Sequence, residues 1–316
     1  MITEAIATLN ALAQKLRTER LLNGALAIEQ DEMRFRLDEH HHPVEIYFER
    51  PNEAHHLIEE FMLLANRTVA TAVGSGRPFV YRVHDLPDAE KLEEVQAFKN
   101  RFASRTGSSR YAGRSAEGFK RAIEMLTIRA QAKAVYSTYN IGHYGLAFSH
   151  YTHFTSPIRR YPDLMVHRLI ERYLIENQGS VNKKEYEEMC VHASEMEKQA
   201  EEMERQSIKY KQAEYLQDKI GQVFEGLVSG VSKWGLFVEL KGNKCEGLVR
   251  YEDLPGDYYY LDDDNFRVIG QETGRIIQLG DEVRIRVKAV DLFKHRMDFE
   301  LLADTLPKKS RQKRRY

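Results

Sequence analysis

The chain has only two cysteines, Cys190 and Cys245, and one tryptophan in 316 residues. Two thiols exclude a disulfide scaffold and a multi-cysteine zinc site, and they fit a reducing cytoplasm. No apolar run approaches the roughly 18 residues a membrane span requires. The stretch MITEAIATLNALAQKLRTER has neither an apolar h-region nor a small-residue cleavage site, so no secretory signal is expected. Net charge is lacking too: 47 Lys and Arg face 48 Asp and Glu, a balance of −1. What is present is enough to fold. With 42% hydrophobic residues the chain can fill real cores, and its length suggests about two domains at roughly 150 residues each.

Neutrality hides a polarity. From Asp304 onward, six bases (Lys308, Lys309, Arg311, Lys313, Arg314 and Arg315) face one acid, which makes the tail +5 and the remaining 303 residues −6. Such a tail is either a mobile arm drawn to polyanions or a solvated end that aids solubility.

Periodicity orders the rest. Leu9, Leu12, Ala13 and Leu16 recur at helical spacing within residues 1–25. Met33, Phe35 and Leu37, then Val44, Ile46 and Phe48, alternate with polar residues and predict an antiparallel hairpin with His40–His42 at its tip. Three adjacent histidines point in different directions, so they read as a polar turn rather than a metal site. Asn52 is placed to cap a helix running to Val73, with Gly74-Ser75-Gly76 ending it. Phe79–Val83 predicts a short strand. Ala89–Phe102 and Ala116–Ala134 predict helices flanking a polar loop at 104–114. Pro162–Glu176 predicts another helix, and Lys184–Asp218 a long charged connector.

At Ile220 the pattern changes to five short strands with glycine at the turns, an all-β barrel. Gly226 and Gly230 are expected at its bends. Phe224, Trp234, Phe237 and Tyr251 are candidates for stacking on bases, unless some of them fill the barrel. Lys233, Arg284, Arg286, Lys288, Lys294 and His295 would hold phosphates. The three adjacent acids in the insertion Asp257–Phe266 read as a solvated hairpin loop rather than a metal site. The stretches VFEGLVSGVSKWGLFVEL, EGLVRYEDL and LGDEVRIRVKAVD closely resemble the RNA-binding repeat of ribosomal protein S-one.

The most informative segment is HYTHFTSPIRRYPDLMVHR, residues 150–168. Thr155 and Ser156 precede Pro157 at a loop-to-helix junction, where free N–H groups attract phosphate. Arg159 and Arg160 bring forked donors. Tyr151, Phe154 and Tyr161 offer rings for bases, and His143, His150, His153 and His167 further donors. Arg160–Asp163 and Asp163–His167 also lie at helical pairing distance, so part of the cluster serves either to bind a polyanion or to brace itself.

HFTSPIRRYPDLMVHR is similar to the signature of the RNB family of processive exoribonucleases, and ERPNEAHHLIEEFMLLAN and RVHDLPDAEKLE match its ribonuclease R branch. The resemblance implies hydrolysis of single-stranded RNA from the 3′ end to nucleoside monophosphates, using divalent metal, usually Mg²⁺. Arg159 would contact the scissile phosphate. Glu204 would be an active-site acid, and Glu59 would sense the terminal ribose. Apart from the motif, Glu59 pairs equally well with His55 or His56, and Glu204 is an ordinary helix-surface acid.

The family's metal-binding aspartates lie in an acidic loop upstream of everything aligned here, so no metal ligand is expected within the chain, which resembles the family's C-terminal portion. An N-terminal RNB fragment is then an expected partner beside RNA. Ile28 stands where a base-stacking aromatic is found in ribonuclease II. The expected architecture is α+β. A partial RNB domain with its connector helix spans 1–218, a five-stranded barrel of the oligonucleotide-binding type spans 219–303, and a basic tail spans 304–316.

Overall fold

The computed structural model describes residues 2–26, 31–103 and 116–303. The basic tail, the 104–114 loop and Ile28 lie outside the described residues. By packing, the chain forms two compact units. The first comprises Met1–Met33, Phe48–Pro87 and Ala132–Met203; the second comprises Arg34–Tyr47, Asp88–Gln131 and the chain from Glu204 on. The division at 218 follows chain order, whereas packing interleaves the segments.

In the first unit α1 (Ile2–Leu22) lies against α2 (Glu53–Val73). Arg20 of α1 reaches the buried Glu60 carboxylate of α2 at 2.5 Å. The α2 start is fixed by its sequence. Asn52 Oδ1 accepts from the N–H groups of Ala54 and His55, and His55 Nδ1 accepts from Asn52 N, a capping box closed by histidine. Gly74 ends the helix as expected, and the Tyr81 hydroxyl donates to its carbonyl at 2.8 Å.

Strands β1 (Glu32–Leu37) and β2 (Pro43–Glu49) form the hairpin. Asp38 Oδ1 accepts from His40 N and His42 N at its tip, and His42 pairs with Glu214 at 3.0 Å, so the histidines make a polar turn. Strand β3 (Tyr81–Val83) pairs antiparallel with β4 (Val135–Ser137). These two strands share a core with α2 and α5 (Tyr161–Ile170), built from Ala70, Phe79, Val80, Tyr136, Met165 and Leu169.

In the second unit α3 (Ala89–Ala103) and α4 (Ala116–Ala130) pack Val95, Phe98, Ala122 and Leu126 around Leu279. Next to Leu279, Gly280 sits so close to α4 that a Cβ would lie 2.6 Å from the Gly118 carbonyl oxygen. Helix α4 stops at Ala130 rather than Ala134, because Asp88 N takes the Ala130 carbonyl and Val135 enters β4. Helix α6 (Lys183–Gln217) is the long connector, and the chain passes from the first unit to the second within it, at Met203–Glu204.

The barrel consists of β5 (Val223–Ser232), β6 (Gly235–Leu240), β7 (Glu246–Arg250), β11 (Glu282–Asp291) and β12 (Arg296–Leu301), closed in the order β11-β12-β7-β6-β5. Leu236, Val238, Val249, Ile285 and Phe299 fill it. A Cβ on Gly247 would come within 2.5 Å of the Phe299 ring, so glycine there is what lets the ring fill the interior. β5 runs through both Gly226 and Gly230, with a register shift of the bulge type at Gly230. Gly226 allows close approach of Val238.

The 257–266 segment does carry a hairpin, and a third strand extends it into a separate antiparallel sheet of β8 (Tyr259–Asp262), β9 (Arg267–Gly270) and β10 (Ile276–Gln278). Asp262 is tied to Arg267 at 2.6 Å, and Asp257 accepts from the Thr273 hydroxyl and backbone. Of the three adjacent acids, Asp262 is thus structural. Asp263 and Asp264 remain exposed at the β8–β9 turn.

Candidate functional site

The signature segment is laid beside β3 before it turns into α5. Arg82 N donates to the Tyr151 carbonyl at 2.9 Å, and the Thr152 hydroxyl donates to Val80 O at 2.7 Å. Asn66 of α2 clamps it from the other side. Its amide donates to the Tyr151 hydroxyl at 3.1 Å, and its oxygen accepts from Phe154 N at 3.0 Å. Tyr151 is therefore a brace. It is 5% exposed, with its ring against His143, Phe148 and His153, and it has no face open to a base.

His153 also points inward. Its Nδ1 is hydrogen-bonded to the Tyr136 hydroxyl at 2.8 Å. Burial, then the neighbouring Arg160 and Arg82 charges, push its pKa down to about 2. Burial likewise lowers His143 to about 4, with His84 and Arg82 adding to the effect. Neither ring is a cation near neutrality. Phe154 stacks on His167 at 4.3 Å, and His167 Nε2 donates to its carbonyl at 2.9 Å, so one face of the Phe154 ring is taken.

Beyond Phe154 the chain turns. Ser156 O accepts from the N–H groups of both Arg159 and Arg160. Ser156 N is not free for phosphate: it donates to Asp163 Oδ1 at 2.7 Å. The same oxygen takes Arg160 Nη2 at 2.8 Å. Arg160 thus holds the turn together with a fully buried carboxylate, whereas the Arg159 side chain is exposed and pairs with no described residue. Three buried polar atoms beside it have no hydrogen-bond partner: Thr155 Oγ1, Arg160 Nε and Asp163 Oδ2. An unmet buried polar group costs about 1–3 kcal/mol, and a bound water is the ordinary way such atoms are satisfied.

Glu59 is exposed on α2. It lies 3.8 Å from Arg20, while Glu60 makes the closer pair with the same guanidinium. Glu204 is exposed on α6 and belongs to the second unit, so the structure does not gather it with Arg159 in one unit.

The barrel presents a groove of about 740 Å³. Trp234, Phe237 and Tyr251 line it with Lys233 and His295. Lys209 of α6, Leu248, Arg250 and Arg296 line it too, with the acids Glu246 and Glu252 among them. Arg250 and Arg296 both reach Asp298, at 3.7 and 3.3 Å, and Arg250 also lies 3.9 Å from Glu252. The Tyr251 hydroxyl is spent on Ser232 O at 2.6 Å, so its ring remains as the contact.

Phe224, Arg284 and Arg286 do not line the groove. They sit on the β5–β11 pair, where Arg284 faces Glu225 and Arg286 bonds Glu300 at 3.1 Å. Lys288 is held by Asp253. Glu246, Leu248 and Arg250 share one face of β7 while Gly247 and Val249 turn in. That alternation was a signal for the missed Arg250; nothing in sequence placed Lys209 there.

The chain matches the RNB domain over residues 1–176 and the S1 RNA binding domain over residues 217–302. It belongs to the RNB family.

The RNB chain is 37% identical over 318 residues to a protein named ribonuclease R from Aquifex aeolicus, covering 95% of this chain and 44% of the relative. Against ribonuclease R of Thermotoga maritima it is 38% identical over 311 residues, 93% of this chain and 44% of the relative. It thus spans less than half the length of these two relatives. Its fold superposes on Mycoplasma genitalium RNase R, solved with ribose-methylated single-stranded RNA, with a TM-score of 0.87 at 26% identity, covering 95% of this chain and 50% of that one.

RNB-family ribonucleases are metal-dependent hydrolases. Among the described residues of this chain no group of three or more His, Cys, Asp or Glu could hold a metal ion. The described side chains therefore do not fit the metal.

Proposed function

We propose that this RNB chain works in 3′-to-5′ hydrolysis of single-stranded RNA to nucleoside monophosphates. Arg159 grips the scissile phosphate, and the barrel groove holds strand. The observation that carries this reading is the turn at 155–163. Asp163, Arg160 and Ser156 fix it, and Arg159 stands exposed from it and unpaired among the described residues. A guanidinium held ready in this way can meet charge developing on a phosphoryl oxygen without reorganising.

Relatives named ribonuclease R and the RNA-bound Mycoplasma structure support the substrate class. Glu59 contributes by sensing ribose, Glu204 by acting as an acid, and Thr155, Ser156 and Phe154 by lining the strand's path. The divalent cation, Mg²⁺ in the ordinary case, is held by carboxylates outside the described residues, which an N-terminal RNB fragment would bring. Two free, buried cysteines fit a reducing cytoplasm as the place of action.

The test combines the chain with such a fragment, Mg²⁺ and 5′-labelled single-stranded RNA. Stepwise release of mononucleotides that is lost with Arg159→Ala is the expected result. Unchanged release by Arg159→Ala would remove Arg159 from the mechanism, and hydrolysis by the chain alone would overturn the need for a supplied acidic segment.

A second reading rests on the groove. Trp234, Phe237 and Tyr251 among cations suffice for a non-catalytic RNA-binding protein. RNA binding with no hydrolysis under any complementation would select it.

A further inference from the structure

The loop joining β11 to β12, Leu292–His295, is built to hold one ring in water. Phe293 at its tip is 98% exposed. Asp291 Oδ1 accepts from Phe293 N at 3.1 Å and Lys294 N at 3.0 Å, which fixes the turn. His295 closes it in the left-handed region, at φ +50°. The His295 ring is pinned in turn by α6: Nδ1 meets Gln206 Oε1 at 3.1 Å, and Tyr210 lies edge-on at 5.6 Å. Every contact orders the backbone beneath Phe293 and none covers its side chain. A fully hydrated ring gains nothing from burial, so so rigid a mounting has no purpose within the fold.

Its surroundings identify the occupant. The residues that follow Phe293 in the chain, His295, Arg296 and Met297, line the groove together with Lys209, Lys233 and Arg250. Lys294, the next residue in the chain, adds a further exposed cation to the turn. The β5–β6 turn has the same make-up, with Trp234 66% exposed and Lys233 Nζ over its ring at 5.1 Å. In five-stranded barrels of this type the loops joining strands one to two and four to five flank the oligonucleotide face. These are the two turns in question. A flat ring beside a cation, repeated at both, suits a chain of flat bases joined by phosphates. The cations Lys233, Lys209, Arg250 and Arg296 that continue from these tips along the groove favour a phosphate-bearing strand over a protein or lipid partner.

We propose that Phe293 is a second base-stacking platform for single-stranded RNA, carrying the strand past the groove onto the β11–β12 tip, with Lys294 on an adjoining phosphate. The proposal rests on the RNA-binding reading of the groove and adds a subsite to it.

The full chain is titrated with a fluorescein-labelled 15-nucleotide oligouridylate and followed by anisotropy at several salt concentrations. Phe293→Ala and Phe293→Leu should each weaken binding roughly five-fold or more, because a base loses its stacking partner. Phe293→Trp should retain or improve it. Lys294→Ala should lower the salt dependence by about 0.7 of a log unit per log unit. Phe237→Ala serves as the groove control. If Phe237→Ala weakens binding and Phe293→Ala does not, the groove stands and the platform is overturned. If Phe293→Leu binds like wild type while Phe293→Ala does not, the contact is merely apolar and stacking is overturned. If neither Phe237→Ala nor Phe293→Ala matters, the RNA reading of the barrel falls first. Phe293 is solvent-exposed, so its variants should melt with the parent chain, and the comparison is one of binding alone.

Discussion

Asp163 holds Arg160 at 2.8 Å from a fully buried position, and the oxygen it uses also takes Ser156 N. A single carboxylate atom thus ties the start of α5 to the turn that displays Arg159. Arg160, adjacent in sequence to Arg159, acts as a strut while its neighbour faces outward.

Asp163→Asn keeps an acceptor for Ser156 N but removes the charge that Arg160 answers. Stripping one partner from a buried pair costs on the order of 3 kcal/mol. Urea unfolding should show a loss of that size, and RNA binding should fall with it. A variant as stable as the parent would show that Arg160 finds another anchor.

Arg159→Lys separates charge from shape. The side chain is exposed and unpaired among the described residues, so stability should stay within about 0.5 kcal/mol of the parent. RNA turnover in the complemented enzyme should fall roughly ten-fold, because an ammonium cannot make the forked contact. Retained turnover would mean that a point charge suffices.

The two buried histidines predict an acid-sensitive first unit. Their folded pKa values, about 2 for His153 and about 4 for His143, lie below the ordinary 6.5. Below pH 6.5 the unfolded chain therefore binds more protons than the folded one. Stability is full above 6.5 and declines as pH falls, by up to about 1.4 kcal/mol per pH unit for each group. Melting temperature measured from pH 7 to pH 4 should drop, and His153→Gln should flatten the slope by close to one proton. An unchanged slope would mean that His153 is protonated in the fold.

In the barrel, position separates groups that look alike in composition. Lys233→Ala should weaken binding to single-stranded RNA and reduce its salt dependence. Arg286→Ala should do neither, since Arg286 is bonded to Glu300 outside the groove. Equal effects would mean that the strand follows the β5–β11 face instead.

Much of this was legible from periodicity and caps. The hairpin alternation, the Asn52 cap and the five barrel strands all depend on residues within a few positions of one another, and they appear as expected. The departures depend on distant partners. Tyr151 looked like a stacking ring because its burial is decided by Asn66, 85 residues away. Strands β8 to β10 are only three or four residues long, and the Asp257–Thr273 tie that holds their sheet has no local pattern. The groove was half visible: Trp234 and Phe237 are marked by their own segment, whereas Lys209 arrives from a helix. Arg284 and Arg286 each lie opposite a cross-strand acid, Glu225 and Glu300, a pairing that charge counts do not show.

The α3–α4 pair has a practical consequence for dissection. Leu279 and Gly280 belong to the S1 match, yet Ala122, Leu126 and Gly118 of the RNB match cover them. A barrel excised at the family boundary would carry a bare greasy flank and should clump, and exchanging barrels between relatives would succeed only when both helices travel with the graft.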